Sequence, residues 1–193
     1  MRQNNVIDLS LEYTMRRFYA LTNSPASDEL QWIESQELAG VDIRPLWQGT
    51  RVDEEKLSRV KFFMNDKLKA DYLANPMGLP ILSERAKNIL VSGVRSDEVQ
   101  VIPASIYQRH TNQKVEGYYL LNALRVFSAL SPTCDPECAP FTDLEIVGNK
   151  IPTDAHLFRL IEYSPILIIS EDLFHTLSGK DLKGMGVYPV ITI

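Results

Sequence analysis

Apolar and polar positions along this chain alternate in short runs, and the runs predict more strands than helices. Residues 13–21, Tyr-Thr-Met-Arg-Arg-Phe-Tyr-Ala-Leu, are rich in aromatic and β-compatible side chains and predict a first strand. Asn23 to Ser27 cluster proline and small polar residues as a loop does. Residues 28–50 mix Trp32 and Trp47 with acidic residues and glycines and fit no period. From Asp53 to Asp71 the apolar positions Leu57, Val60, Phe62, Phe63, Met64 and Leu68 fit either a helix or a strand pair. Val99–Ile102 predicts a strand ending at Pro103. Tyr118 to Leu130 is long enough for one strand or a bent pair, and His156 to Leu160 and Ile166 to Ile169 are further strand candidates.

Two helices are marked by their openings. Ser83 is placed to accept from a free backbone N–H while Glu84 meets the positive end of the helix dipole. Ala86, Ile89 and Leu90 give that helix an apolar face, and Gly93 marks its exit. Ser170-Glu171 opens a second helix, with Leu173, Phe174 and Leu177 on one face and Gly179 after it. From Ser83 to Pro103 is 20 residues, and from Ser170 to Pro189 is 19. A duplicated strand–helix–strand unit and chance reuse of cap and turn chemistry both explain the echo. The expectation is an α+β fold, with a mixed, mostly antiparallel sheet and two or more helices packed on it.

At 193 residues the chain suits one compact unit, read as a variable N-terminal lobe over 1–55 and a domain over 56–193. A net charge of −5 argues against a nucleic-acid-binding surface and is compatible with a basic protein partner. The first eight residues lack the apolar core of a secretory signal, and the longest apolar runs are far too short to cross a bilayer, so the cytoplasm is the expected compartment. Homo-oligomerisation is compatible with this composition.

Charge is unevenly placed. No Lys or Arg lies between Arg17 and Arg44, while Asp28, Glu29, Glu34, Glu37 and Asp42 do. A second basic-free span, Val126 to Asn149, holds Asp135, Glu137, Asp143 and Glu145. Lys56 to Lys69 carries five cations against Asp66 alone. Such segregation either speeds encounter with an oppositely charged protein or is an ordinary solvated face. Trp32 and Trp47, flanking the first acidic span, are either interface anchors or core. The partner-binding candidates are therefore Asp28, Glu29, Trp32, Glu34, Glu37, Asp42, Asp135 and Glu137.

Motifs for chemistry are few. Cys134 and Cys138 form a C-x3-C pair, too few ligands for a structural zinc site, and His110, His156 and His175 lie at no close ligand spacing. No metal or cofactor is expected. Ser83 and Ser170 are explained by capping rather than as nucleophiles, and there is no G-x-S-x-G, Walker or G-x-G-x-x-G motif.

Asp71-Tyr72-Leu73, Asn75-Pro76, Gly78, Pro80 and Ser83-Glu84-Arg85, read together, resemble the immunity protein 11 family of bacterial polymorphic toxin systems. Ile102-Pro103, Tyr118 to Asn122, Ile151-Pro152, His156 to Leu160, Ile168 to Glu171 and Gly186 to Val190 follow in the family's order. The likeness spans about residues 60–190, and the Cys134–Cys138 loop is not part of it. The resemblance implies a cytosolic antidote that binds and blocks a cognate toxin domain and has no catalysis of its own. The alternative is a small-molecule-binding or enzymatic domain whose polar lining would be Arg85, Arg159, His156 and Tyr119.

Overall fold

A computed structural model describes residues 16–24, 30–135 and 143–193. Asp28, Glu29, Glu137 and Cys138 lie outside these residues, as does the start of the expected first strand. The described chain opens with β1 (Phe18–Asn23) and β2 (Ile33–Glu37), then two single-turn helices, α1 (Arg44–Trp47) and α2 (Glu54–Leu57). β3 (Lys61–Met64), β4 (Tyr72–Leu73) and β5 (Ile81–Ser83) lead into α3 (Glu84–Val91). β6 (Val99–Pro103), β7 (Ser105–Gln108), β8 (Lys114–Val115), β9 (Tyr118–Ala123) and β10 (Val126–Phe127) follow. Last come β11 (Glu145–Ile146), β12 (Leu157–Leu160), β13 (Leu167–Ser170), α4 (Glu171–Leu177) and β14 (Met185–Thr192).

The fold is α+β, and its strands divide among three sheets: β10-β12-β13-β1-β14-β11, β2-β3-β7-β8 and β4-β5-β9-β6. Pairing is mostly antiparallel; β3–β7, β10–β12 and β11–β14 run parallel. Among the described residues no helix is long and apolar enough to cross a membrane. β1, from the stretch read as an N-terminal lobe, pairs with both β13 and β14 in the middle of the six-stranded sheet.

Three apolar layers hold the sheets together. The first joins β2, β3 and β7 to one face of β4-β5-β9-β6 through Ile33, Phe62, Met64, Ile81, Ile106 and Leu120. The middle layer holds α3 and α4, whose Ala86, Leu90, Leu173 and Leu177 pack with Leu82, Leu121, Leu21 and Ile169 from two sheets. The third covers the far face of the six-stranded sheet with Phe18, Phe158, Ile168 and Val190 against Ala129, Leu144 and Ile151. Each fully buried Leu, Ile or Phe contributes about 1.5–3 kcal/mol, so these layers dominate stability.

Local chemistry explains the helices. The Ser83 Oγ accepts from Ala86 N at 3.2 Å and the Ser170 Oγ from Leu173 N at 3.4 Å, so both expected caps form. The ambiguous stretch after Asp53 resolves into both elements. Asp53 caps α2 by accepting from Glu55 N and Lys56 N, and the chain then extends as β3. Gly93 has another reason than a left-handed exit. A Cβ there would lie 2.9 Å from Leu173 Cδ1, so it is small because α4 packs against it.

A polar pair fixes the excursion over residues 38–60. Gln100 and Asn122 face each other across β6 and β9. Gln100 exchanges hydrogen bonds with the Val52 backbone at 3.0 and 2.8 Å, and Asn122 Nδ2 donates to Thr50 O at 2.8 Å. That anchors the connection behind β3 and positions the sheet described next.

Candidate binding surface

The β2-β3-β7-β8 sheet has one buried face and one that no helix covers among the described residues. Phe62, Met64 and Ile106 alternate inward, so Lys61, Phe63, Ser105 and Tyr107 turn outward. Phe63 and Tyr107 are paired in register, with ring centroids 6.0 Å apart, and Lys61 Nζ lies 5.8 Å from the Tyr107 ring centre. β2 adds Ser35 opposite Phe63 and Glu37 opposite Lys61. Trp32, next to the buried Ile33, is 40% exposed, and Leu68 is 59% exposed.

The position of Trp32 is fixed by its backbone. Trp32 N donates to Asn65 Oδ1 at 3.2 Å, and Asn65 N donates to Trp32 O at 3.3 Å. A parallel bridge to Ala74 ties the same residue to the end of β4. The result is an indole held at a sheet margin with much of its surface open.

The expected acidic residues are only partly available. A register shift between Ile33 and Ser35 lifts Glu34 out of the alternation, and its carboxylate lies 3.5 Å from Arg109 Nε. Arg109 Nη1 also donates to Ser35 Oγ. Asp42 accepts from the backbone N, Nε and Nη2 of Arg44 at 2.8–3.0 Å, and this arginine holds its pKa down to about 2. Glu37 stands opposite Lys61. The margin is therefore aromatic with interleaved charges of both signs, not a bare acidic face.

Asp135 does not join this surface. It lies on the other flank, beyond the third apolar layer, in a groove of about 160 Å3 with Thr133, Cys134, Asp143 and Glu145. Hydrogen bonds from the Ser131 and Thr133 hydroxyls hold the Glu145 pKa below its usual value. Among the described residues no group of three or more His, Cys, Asp or Glu is arranged to hold a metal ion.

The four polar side chains of the small-molecule reading are dispersed. Arg85 lies 3.8 Å from Asp71 and donates to Lys180 O, in a groove of about 590 Å3 that contains none of the other three. Tyr119 lies under Lys87, whose Nζ is 4.5 Å from the ring centre. His156 Nδ1 is 2.9 Å from Ser170 Oγ. Arg159 is fully buried; one nitrogen donates to Ser164 O at 2.5 Å while Nε and Nη2 have no hydrogen-bond partner among the described residues. The cap serines are committed too, since Ser83 Oγ also donates to Asp71 Oδ1 at 2.6 Å.

Of the partner-binding candidates named from the sequence, Trp32, Glu34 and Glu37 lie on or next to this sheet; Phe63, Tyr107, Lys61 and Arg109 join them there without having been candidates. The signal for Phe63 was the adjacent pair Phe62-Phe63, which no single face of a strand can bury together. Compared with models of known families and with curated proteins, the chain matches none.

Proposed function

We propose that this protein is an immunity protein that binds and neutralises a cognate secreted toxin domain, using the outer face of β2, β3 and β7. The observation that carries the reading is the Phe63–Tyr107 pair on the outer face of β3 and β7, on a sheet whose edge strand β2 is preceded by the exposed Trp32. Aromatic anchors ringed by polar and charged groups are the usual composition of a binding hot spot. The resemblance of the ordered sequence segments to the immunity family suggests the class of partner.

Glu34 and Glu37 steer the encounter, and Asp42 contributes less because Arg44 holds it at 2.8 Å, closer than the 3.5 Å between Arg109 and Glu34. The test is co-expression with the variable C-terminal domain of a secreted protein encoded beside this gene. Growth is restored by the intact chain and not by a Trp32→Ala, Phe63→Ala double variant that remains folded. Reversal of Glu34 and Glu37 to lysine slows association and flattens its salt dependence. Equal rescue by the double variant would remove this face from the account.

A further inference from the structure

Two of the sheets carry one plan. The order β4-β5-β9-β6 is matched inside the six-stranded sheet by β12-β13-β1-β14. In each, a helix joins the second strand to the fourth, and the third runs antiparallel to both neighbours.

The match extends to single atoms. Ser83 N donates to Asp71 O at 2.8 Å, and Ser170 N to His156 O at 3.0 Å. The Ser83 hydroxyl is bonded to the Asp71 carboxylate and the Ser170 hydroxyl to the His156 ring. Glu84 N donates to Gly117 O just ahead of β9, and Glu171 N to Arg17 O just ahead of β1. Pro103 pairs with Tyr119, as Pro189 pairs with Tyr19. Lys87 covers the first tyrosine, and Phe174 stacks on the second at 4.1 Å. The middle strands themselves read Tyr-Tyr-Leu-Leu from Tyr118 and Phe-Tyr-Ala-Leu from Phe18.

Chain order then shows which strand belongs to which series. β1, the Trp32 bridge parallel to β4, then β4, β5, α3 and β6 form one series. β9, then β10 parallel to β12, then β12, β13, α4 and β14 form the other. Each series begins with a middle strand, and that strand lies in the other series' sheet. Contacts between the series are reciprocal as well. Lys183 N, ahead of β14, donates to Asp71 Oδ2 at 3.0 Å, while Arg95, ahead of β6, meets Asp154 at 2.8 Å.

We propose that the chain is two copies of one unit, residues 16–103 and 117–193, fused with their first strands exchanged, so that each half is the partner the other requires. Without β9 the facing edges of β5 and β6 would lose their backbone partners, and without β1 so would those of β13 and β14. Each loss also removes a buried leucine, Leu121 or Leu21, from the middle layer.

The test is a protease site inserted in the full chain between His110 and Thr111, in the exposed turn joining β7 to β8. After cleavage the two pieces should stay together at full-length mass and unfold in one transition. Separated in urea and returned to buffer, each piece alone should lose that transition, and mixing should restore it. Pieces that part in native buffer, or one piece that unfolds cooperatively alone, would overturn the proposal. Hydrogen exchange on the uncut chain decides the matter if the insertion blocks folding. β1 amides should exchange at the rates of β13 and β14; exchange tenfold faster than both would contradict the interlock.

Discussion

Arg159 is the residue whose environment is most at odds with its chemistry. Among the described residues it is the largest fully buried side chain, and two of its guanidinium nitrogens have no hydrogen-bond partner there. Burial lowers its pKa to about 10, which leaves it charged at neutral pH, and burial also raises that of the nearby Tyr72 hydroxyl. An unpaired buried cation costs several kcal/mol, so Arg159→Met should raise the free energy of unfolding by about 1 kcal/mol or more. Arg159→Ala should lower it by about 2–4 kcal/mol, because a cavity replaces the charge. Urea titration of the two variants checks both signs, and a destabilised methionine variant would mean that the Ser164 bond outweighs the desolvation.

Asp42 makes a second case at this scale. Its folded pKa, about 2, lies below the ordinary value near 3.9, so its interaction with Arg44 stabilises the fold above that value. The contribution fades as pH falls through about 2. Carboxyl titration by NMR should place Asp42 near 2 in the native chain, and Arg44→Ala should return it to about 3.9. An unchanged midpoint would show that the arginine is not the cause.

At the scale of elements, the two helix openings provide a matched comparison. Ser83→Ala and Ser170→Ala each remove a cap worth about 1 kcal/mol. Ser83→Ala should cost more, since the Asp71 carboxylate, only 13% exposed, also loses its hydroxyl donor. Thermal unfolding of the two variants checks the order. Gly184 and Gly40 form another pair. Both have positive φ, but a Cβ at Gly184 would lie 2.7 Å from Tyr72 O while one at Gly40 meets nothing. Gly40→Ala should cost about 1 kcal/mol, and Gly184→Ala clearly more. Equal losses would mean that the segment ahead of β14 can move away from β4.

Caps were readable in the sequence because they are local. Ser-Glu before an apolar face specifies a helix start wherever it falls, and both expected helices form. The β3 stretch was ambiguous because a single helical turn capped by Asp53 runs directly into a four-residue strand, and neither is long enough to show a period. Strand partners were not readable. A period of two says that β1 has two faces, yet nothing in Phe18–Asn23 records that β13 and β14 lie on either side. The same limit hid the proposed binding surface, because Phe63 and Tyr107 become its outer face only once β3 pairs with β7. The ion pair of Asp42, by contrast, was local, with Arg44 two residues on.

At the scale of the whole molecule, the frame that builds the fold is separate from the face proposed to bind. Two interlocked sheets and their helices hold the middle of the structure. The open sheet lies outside that frame, joined to it through the first apolar layer and the Gln100–Asn122 anchor. Substitution on its outer face should therefore change recognition while leaving the fold intact. The direct measurement is the dissociation rate of the full chain from the adjacent toxin domain, compared across Trp32→Ala, Phe63→Ala and Asp135→Lys. A hot-spot aromatic is worth about 2 kcal/mol or more, so Trp32→Ala should weaken binding roughly thirtyfold, mostly through faster release. Asp135→Lys, on the far flank, should leave it unchanged. Unaltered release from Trp32→Ala and Phe63→Ala, or no complex with the toxin domain at all, would contradict the account.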